Sequence, residues 1–177
     1  MRFMVLCSVV FAAVAAHGRE RPHLFEVSAG SALSTPIADI GQYGDDAEVV
    51  PHPSAFFLAE YFVAPEFRVA LAYDLPTGTA VRFVRGEKRE RVVPSRVFAG
   101  FMAAPFQFNI ADESVLELQG GALVGMQLDD DPDAVPMFVG RLHASQDAKA
   151  GVGVYLGVRF LMRVNELSVL YGVGYRF

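Results

Sequence analysis

The segment Leu167-Ser-Val-Leu-Tyr-Gly-Val-Gly-Tyr-Arg-Phe177 puts an apolar side chain at every second position and ends on a phenylalanine. On an extended strand Leu167, Val169, Tyr171, Val173, Tyr175 and Phe177 share one face, with no charge among them. Ser168, Leu170, Gly172, Gly174 and Arg176 share the other. A wholly apolar strand face needs an apolar surrounding along its length, and lipid or a closed apolar cavity supplies one.

The pattern recurs upstream. Phe57, Ala59, Tyr61 and Val63 alternate with Leu58, Glu60 and Phe62; Phe67, Val69, Leu71 and Tyr73 alternate with Arg68, Ala70, Ala72 and Asp74. Val152, Val154, Leu156, Val158, Phe160 and Met162 alternate with Gly153, Tyr155, Gly157, Arg159 and Leu161. Alternation and chain breakers together mark eight strands, at about His23–Ser34, Ser54–Val63, Glu66–Asp74, Arg96–Asn109, Val115–Leu128, Met137–Ala144, Val152–Arg163 and Leu167–Phe177. Pro105 interrupts the fourth, where both faces are apolar, and a bulge fits there.

Composition agrees with strands. Hydrophobic residues make up 53% of the chain and mean hydropathy is +0.31, yet after the N-terminus no apolar run is long enough for a membrane helix. Arg2, the apolar stretch Phe3–Ala16 and the polar run from His17 read as a signal peptide over residues 1–16, leaving a barrel domain at 17–177. The only cysteine, Cys7, falls within that signal, so the mature chain has no disulfide and no thiolate ligand. The net charge of -5 and the lack of a basic stretch interleaved with aromatics set nucleic-acid binding aside. No phosphate loop, paired His-x-x-x-His or nucleophile elbow is present, and no cofactor or metal is expected.

With both termini at one end, the connections Pro36–Pro53, Leu75–Pro94, Asp129–Pro136 and Val164–Glu166 fall at the other. Three of these four are long, while Ala64-Pro65, Ile110–Ser114 and Ser145–Gly151 are short, as outward loops and periplasmic turns of membrane barrels are. Thr79–Val84 either extends the third strand past Pro76-Thr-Gly78 or forms an extra hairpin above the membrane.

Alternation does not say which face points inward, and a soluble lipocalin-like barrel would line a ligand cavity with the apolar one. Gly153, Gly157, Gly172 and Gly174 suit the inside of a narrow barrel, where they make room for Arg, Tyr and Leu. Phe177, Tyr175, Val173 and Gly172 then carry a resemblance: the chain resembles small bacterial outer-membrane β-barrel proteins of the OmpA and OmpX kind. The resemblance implies an all-β, antiparallel eight-stranded transmembrane barrel in the cell outer membrane of a Gram-negative envelope. It also implies that Gly172, Tyr175 and Phe177 form the signal read by the barrel-assembly machinery, with outer-membrane lipid and lipopolysaccharide as further partners. Leu170 departs from the family pattern, which has a polar residue there. Tyr61, Tyr73, Tyr171 and Tyr175 would contribute to the interfacial aromatic girdle.

With the mixed face inward, the lumen collects Glu26, Glu60, Arg68, Asp74, Glu117, Gln119, Arg141, His143, Arg159 and Arg176. Charges in so narrow a space must pair, because desolvating an isolated ion costs several kcal/mol. The expected result is a charged network plugging the lumen and a structural or surface-interaction role; a narrow porin-like channel is the alternative. His143-Ala-Ser145 is similar to the His-x-Ser pair of outer-membrane lipid A deacylases, a lipid hydrolase reading, but Gln146 stands where that family has asparagine. The acidic run Asp129–Asp133 and the acidic Asp39, Asp45, Asp46 and Glu48 read as solvated loops. Arg85, Lys88, Arg89 and Arg91 make the second long loop basic, suited to pairing with acidic loops or to lipopolysaccharide phosphates.

Overall fold

The computed structural model describes residues 25–37, 47–64, 66–111, 114–129, 133–146 and 150–177. The signal peptide, the acidic Asp39, Asp45 and Asp46, and most of Asp129–Asp133 lie outside the described residues. Strands β1 (Phe25–Pro36), β3 (His52–Ala64), β4 (Phe67–Pro76), β7 (Arg96–Asn109), β8 (Val115–Gln127), β9 (Ala134–Ser145), β10 (Gly151–Leu161) and β11 (Glu166–Arg176) close into a barrel in the order β1-β11-β10-β9-β8-β7-β4-β3. Every neighbouring pair is antiparallel, and β1 closes the ring on β11 with Glu26 opposite Arg176 and Ser34 opposite Ser168. The chain is thus an antiparallel eight-stranded transmembrane β-barrel.

All eight expected barrel strands are present, with shifted ends. β1 runs on to Pro36 and β3 starts earlier, at His52, while β10 stops at Leu161 and β11 starts at Glu166. The connection expected at Val164–Glu166 is therefore residues 162–165, with Asn165 in the left-handed conformation at φ 46°. Asparagine is among the few residues that tolerate this. The register of β7 against β8 shifts between Ala103 and Phe106, around Pro105, which has no N–H to give to a ladder.

The second long connection builds a hairpin of its own. β5 (Thr79–Val84) pairs with β6 (Glu87–Val92) and with β2 (Ala47–Val50), a three-stranded sheet apart from the barrel, in the order β2-β5-β6. Thr79–Val84 does not extend the third barrel strand. The turn is the two-residue Arg85-Gly86, with φ of 53° and 79°, the doubly positive geometry whose twist suits a tight hairpin.

Burial alternates strictly along most barrel strands, and the apolar face is the outer one. Val152, Val154, Leu156 and Val158 of β10 and Leu167, Val169, Tyr171 and Val173 of β11 are exposed, while Glu26, Glu60 and Arg68 are fully buried. A soluble barrel needs the reverse, so the lipocalin-like alternative is overturned. An exposed apolar band that runs round a closed barrel, over a charged interior, matches lipid. Aromatic rings gather near the end that carries the termini: Phe25 stands 6.2 Å from Phe177, Tyr175 5.0 Å from Phe177, and Phe67 5.3 Å from Phe101. Tyr171, expected in the girdle, lies at mid-strand between Val169 and Val173 and belongs to the apolar band itself.

Candidate functional site in the barrel interior

Inward-facing side chains form three layers. Near the end with the termini, Glu26 of β1, Glu60 of β3, Glu117 of β8, Arg68 of β4, Arg141 of β9 and Arg176 of β11 are all buried. That sets three carboxylates against three guanidinium groups, the balance that charges removed from water require. Arg176 Nη2 donates to Glu26 Oε2 and to Glu117 Oε2, both at 2.9 Å. Arg68 Nη2 donates to Glu117 at 2.7 Å and its Nη1 lies 3.6 Å from Glu60. Arg141 donates to Glu60 and to Gln119 and lies 3.6 Å from Glu26. Gln119 completes the loop by donating to Glu117 at 2.6 Å.

His143 sits among these groups, with Nε2 3.3 Å from Glu26 and Nδ1 3.5 Å from Glu117. Both ring nitrogens thus face carboxylates of the network. Ser145, two residues along the same inward face, is also buried. Phe62 lies across the network, with the guanidinium carbons of Arg68 and Arg176 at 4.2 Å and 4.8 Å from its ring centre, within cation–π range.

Above this box every strand turns apolar or small on its inner face. Leu58 and Phe56 follow Glu60 along β3, Ala70 and Ala72 follow Arg68, and Leu123 follows Gln119, all buried. Phe98, Met102, Val139 and Leu170 fill the same layer. Leu170, where the resembled family is polar, belongs to this septum.

A second charged cluster lies beyond the septum. Arg159 Nη2 stands 2.9 Å from Asp74 Oδ2 and 3.6 Å from Glu166. Arg96 Nη1 stands 3.3 Å from Glu166 and 3.5 Å from Asp74. Arg159 also donates through Nε to Ser168 at 2.9 Å and through Nη2 to Ser34 at 3.2 Å, and the two serines bond each other at 2.8 Å. Of the residues the sequence placed in the lumen, Asp74 and Arg159 belong here and the others to the first box. Arg96, Glu166 and His52 were missed. Arg96 begins a strand whose two faces are both apolar in sequence, and Glu166 reads as a turn residue until β11 is seen to start there.

Glycines set the spacing. Gly30 of β1 lies opposite Gly172 of β11 at the closing seam, and the Tyr155 hydroxyl lies over both. A Cβ at Gly172 would come within 2.6 Å of that hydroxyl and would also meet the Ala29 carbonyl. A Cβ at Gly157 would fall 2.7 Å from Arg141 Cβ.

Over the second cluster opens a vestibule of about 590 Å³. His52, Arg96, Gln127 and Glu166 line its barrel side, and Arg82, Arg89, Glu90 and Arg91 line it from the β5–β6 hairpin.

Solved structures with a similar fold are outer-membrane barrels. OprG of Pseudomonas aeruginosa is 14% identical over 89% of this chain and 97% of its own, with a TM-score of 0.53. Ail, the attachment invasion locus protein of Yersinia pestis, solved with the heparin analogue sucrose octasulfate, is 14% identical over 89% of this chain and 100% of its own, with a TM-score of 0.43. The N-terminal β-barrel domain of Pseudomonas aeruginosa OprF is 12% identical over 88% and 97%, with a TM-score of 0.42. No protein-family model matches the sequence, and no curated protein does. The chain therefore has the fold of the eight-stranded outer-membrane β-barrels.

Proposed function

We propose that the protein is a non-enzymatic barrel of the Gram-negative outer membrane, with a closed lumen and a structural or surface-interaction role. The observation that carries this reading is the filled interior: a charge-balanced box, an apolar septum and a second charge-balanced cluster succeed one another across the barrel. Eight strands leave room for little more than side chains. An ion on this route would have to displace paired charges and cross an apolar layer. The likeness to OprG supports the fold on which the reading rests.

The end with the long connections faces outward in this reading, and the termini face the periplasm. Outer-membrane lipid surrounds the apolar band, lipopolysaccharide meets the external loops, and Gly172, Tyr175 and Phe177 serve as the assembly signal. The carboxylates on both sides of His143 argue against the hydrolase alternative, because the ring has no nitrogen aimed at Ser145. The test is single-channel recording of the refolded protein in planar bilayers. A closed lumen gives no discrete open state for the wild type; steady unitary currents altered by Glu60→Ala or Arg159→Ala would instead establish a porin-like channel.

A further inference from the structure

The polar floor of the vestibule has hydrogen bonds left to make. His52 and Gln127 are both buried, and both line the cavity. His52 Nδ1 and Gln127 Oε1 have no hydrogen-bond partner, and His52 Nε2 stands 4.0 Å from Glu166, beyond hydrogen-bond length. A buried polar atom left without a partner is costly and calls for an explanation. Each of these two sits on a terminal torsion with a broad minimum, so a group entering the cavity meets it after a small rotation of the ring or the amide.

The charges around them are mostly matched from within. Arg163 stands 2.8 Å from Asp133, Arg96 3.3 Å from Glu166 and Lys88 2.5 Å from Glu90. Arg89 has Glu87 at 3.8 Å, and Arg82 has a partner as well. The lining therefore calls for neither an anion nor a cation. Paired charges keep hydrogen-bonding capacity, since a carboxylate has about four acceptor sites and a guanidinium five N–H donors. A hydroxyl group donates and accepts at once, and so fits between such pairs without breaking them.

The rest of the wall is apolar, from Pro36, Val81, Val93, Pro94 and Val164. A cavity of about 590 Å³ that mixes apolar wall with a few convergent polar groups has the size and make-up of a small-ligand site. A sugar ring presents both surfaces, hydroxyls at its edge and C–H groups on its faces.

We propose that the vestibule binds a neutral, hydroxyl-rich ligand, a saccharide unit, with Gln127 and His52 as its floor contacts. The inference adds a ligand to the surface-interaction role and rests on that reading for the outward end. The sugar comes either free in solution or as the head of a glycolipid in the same leaflet.

The full chain is folded in a polyoxyethylene detergent, which carries no sugar head. Calorimetry measures binding of free maltose, and a second titration uses the same detergent's micelles doped with dodecyl maltoside, which carries the same head on a chain. Gln127→Ala removes a floor contact. Ala80→Trp fills the cavity from the hairpin, which pairs with β2 and not with the barrel strands, so it serves even where Gln127→Ala fails to fold. Lys88→Ala, at an exposed position on the same hairpin, is the control. Saturable binding that falls on the order of tenfold in Gln127→Ala or Ala80→Trp, and stays within about twofold in Lys88→Ala, supports the site. Maltose binding supports a free sugar, and binding to the doped micelles alone supports a glycolipid. Ordered water can satisfy such floor atoms; no saturable binding in either titration then overturns the proposal, as does wild-type affinity in Ala80→Trp. Tighter binding of lactobionate, an anionic disaccharide, than of maltose overturns the neutral class. Protease access to the hairpin on intact cells reads orientation separately, so a barrel facing the other way fails that assay while the binding result stands.

Discussion

Arg159 shows how much one interior residue carries. It reaches Asp74, Glu166, Ser34 and Ser168, which come from three other strands. Truncating one partner of a buried pair leaves the other charge stranded, at a cost of about 3–5 kcal/mol. Arg159→Ala is expected to lose that much in urea unfolding of the refolded protein, and Asp74→Ala with Arg159→Ala to lose less than the two singles added together. Strict additivity would mean the pair is not coupled. Alternation made Arg159 legible as a lumen residue, because Val158 and Phe160 beside it are apolar. That Asp74 is its partner depends on β4 and β10 facing each other across the ring, which no local pattern specifies.

At the scale of the element, the closing seam and the external hairpin behave oppositely. Gly172→Val places a branched side chain where the Ala29 carbonyl and the Tyr155 hydroxyl already stand, so β1 and β11 cannot close. The unboiled protein is expected to lose its fast-migrating band on a denaturing gel, and Tyr155→Ala should not restore it because the carbonyl remains. The β5–β6 hairpin pairs with β2 and not with the barrel strands. Replacing Thr79–Val92 with a short Gly-Ser linker should therefore keep the fast-migrating band and change barrel stability by less than about 1 kcal/mol. The eight barrel strands were legible because each has one charge-free face. The hairpin was legible only as a choice of two arrangements: Pro76-Thr-Gly78 marks a break, and a break alone does not say whether the next strand rejoins the sheet.

The whole molecule is an inside-out arrangement, and its surface tests it. Val154 and Leu156 are neighbours in the middle of β10; Val154 points outward at 55% exposure. Arginine there would face hydrocarbon, at a cost of about 2–4 kcal/mol near the bilayer midplane. Val154→Arg is expected to lower folding stability in phospholipid bilayers by that much. Val92→Arg, at an even more exposed position on the external sheet at 78%, should be neutral in the same assay. Equal effects at the two positions would mean that the β10 face does not meet lipid.

Strand content, strand number and the separation of an apolar face from a mixed one are written in the sequence, because a strand repeats every two residues and each face keeps its own character along the chain. Which face turns inward was only favoured by the glycines, since alternation is symmetric. The tertiary structure decided it, by closing the sheet so that Tyr155 lies over Gly30 and Gly172 and the arginines come within reach of carboxylates. Closure also divided the interior charges into two clusters with an apolar layer between them. Residues far apart in the chain, such as Asp74, Arg96, Arg159 and Glu166, meet only because strand order and register bring their inward positions to the same level of the barrel.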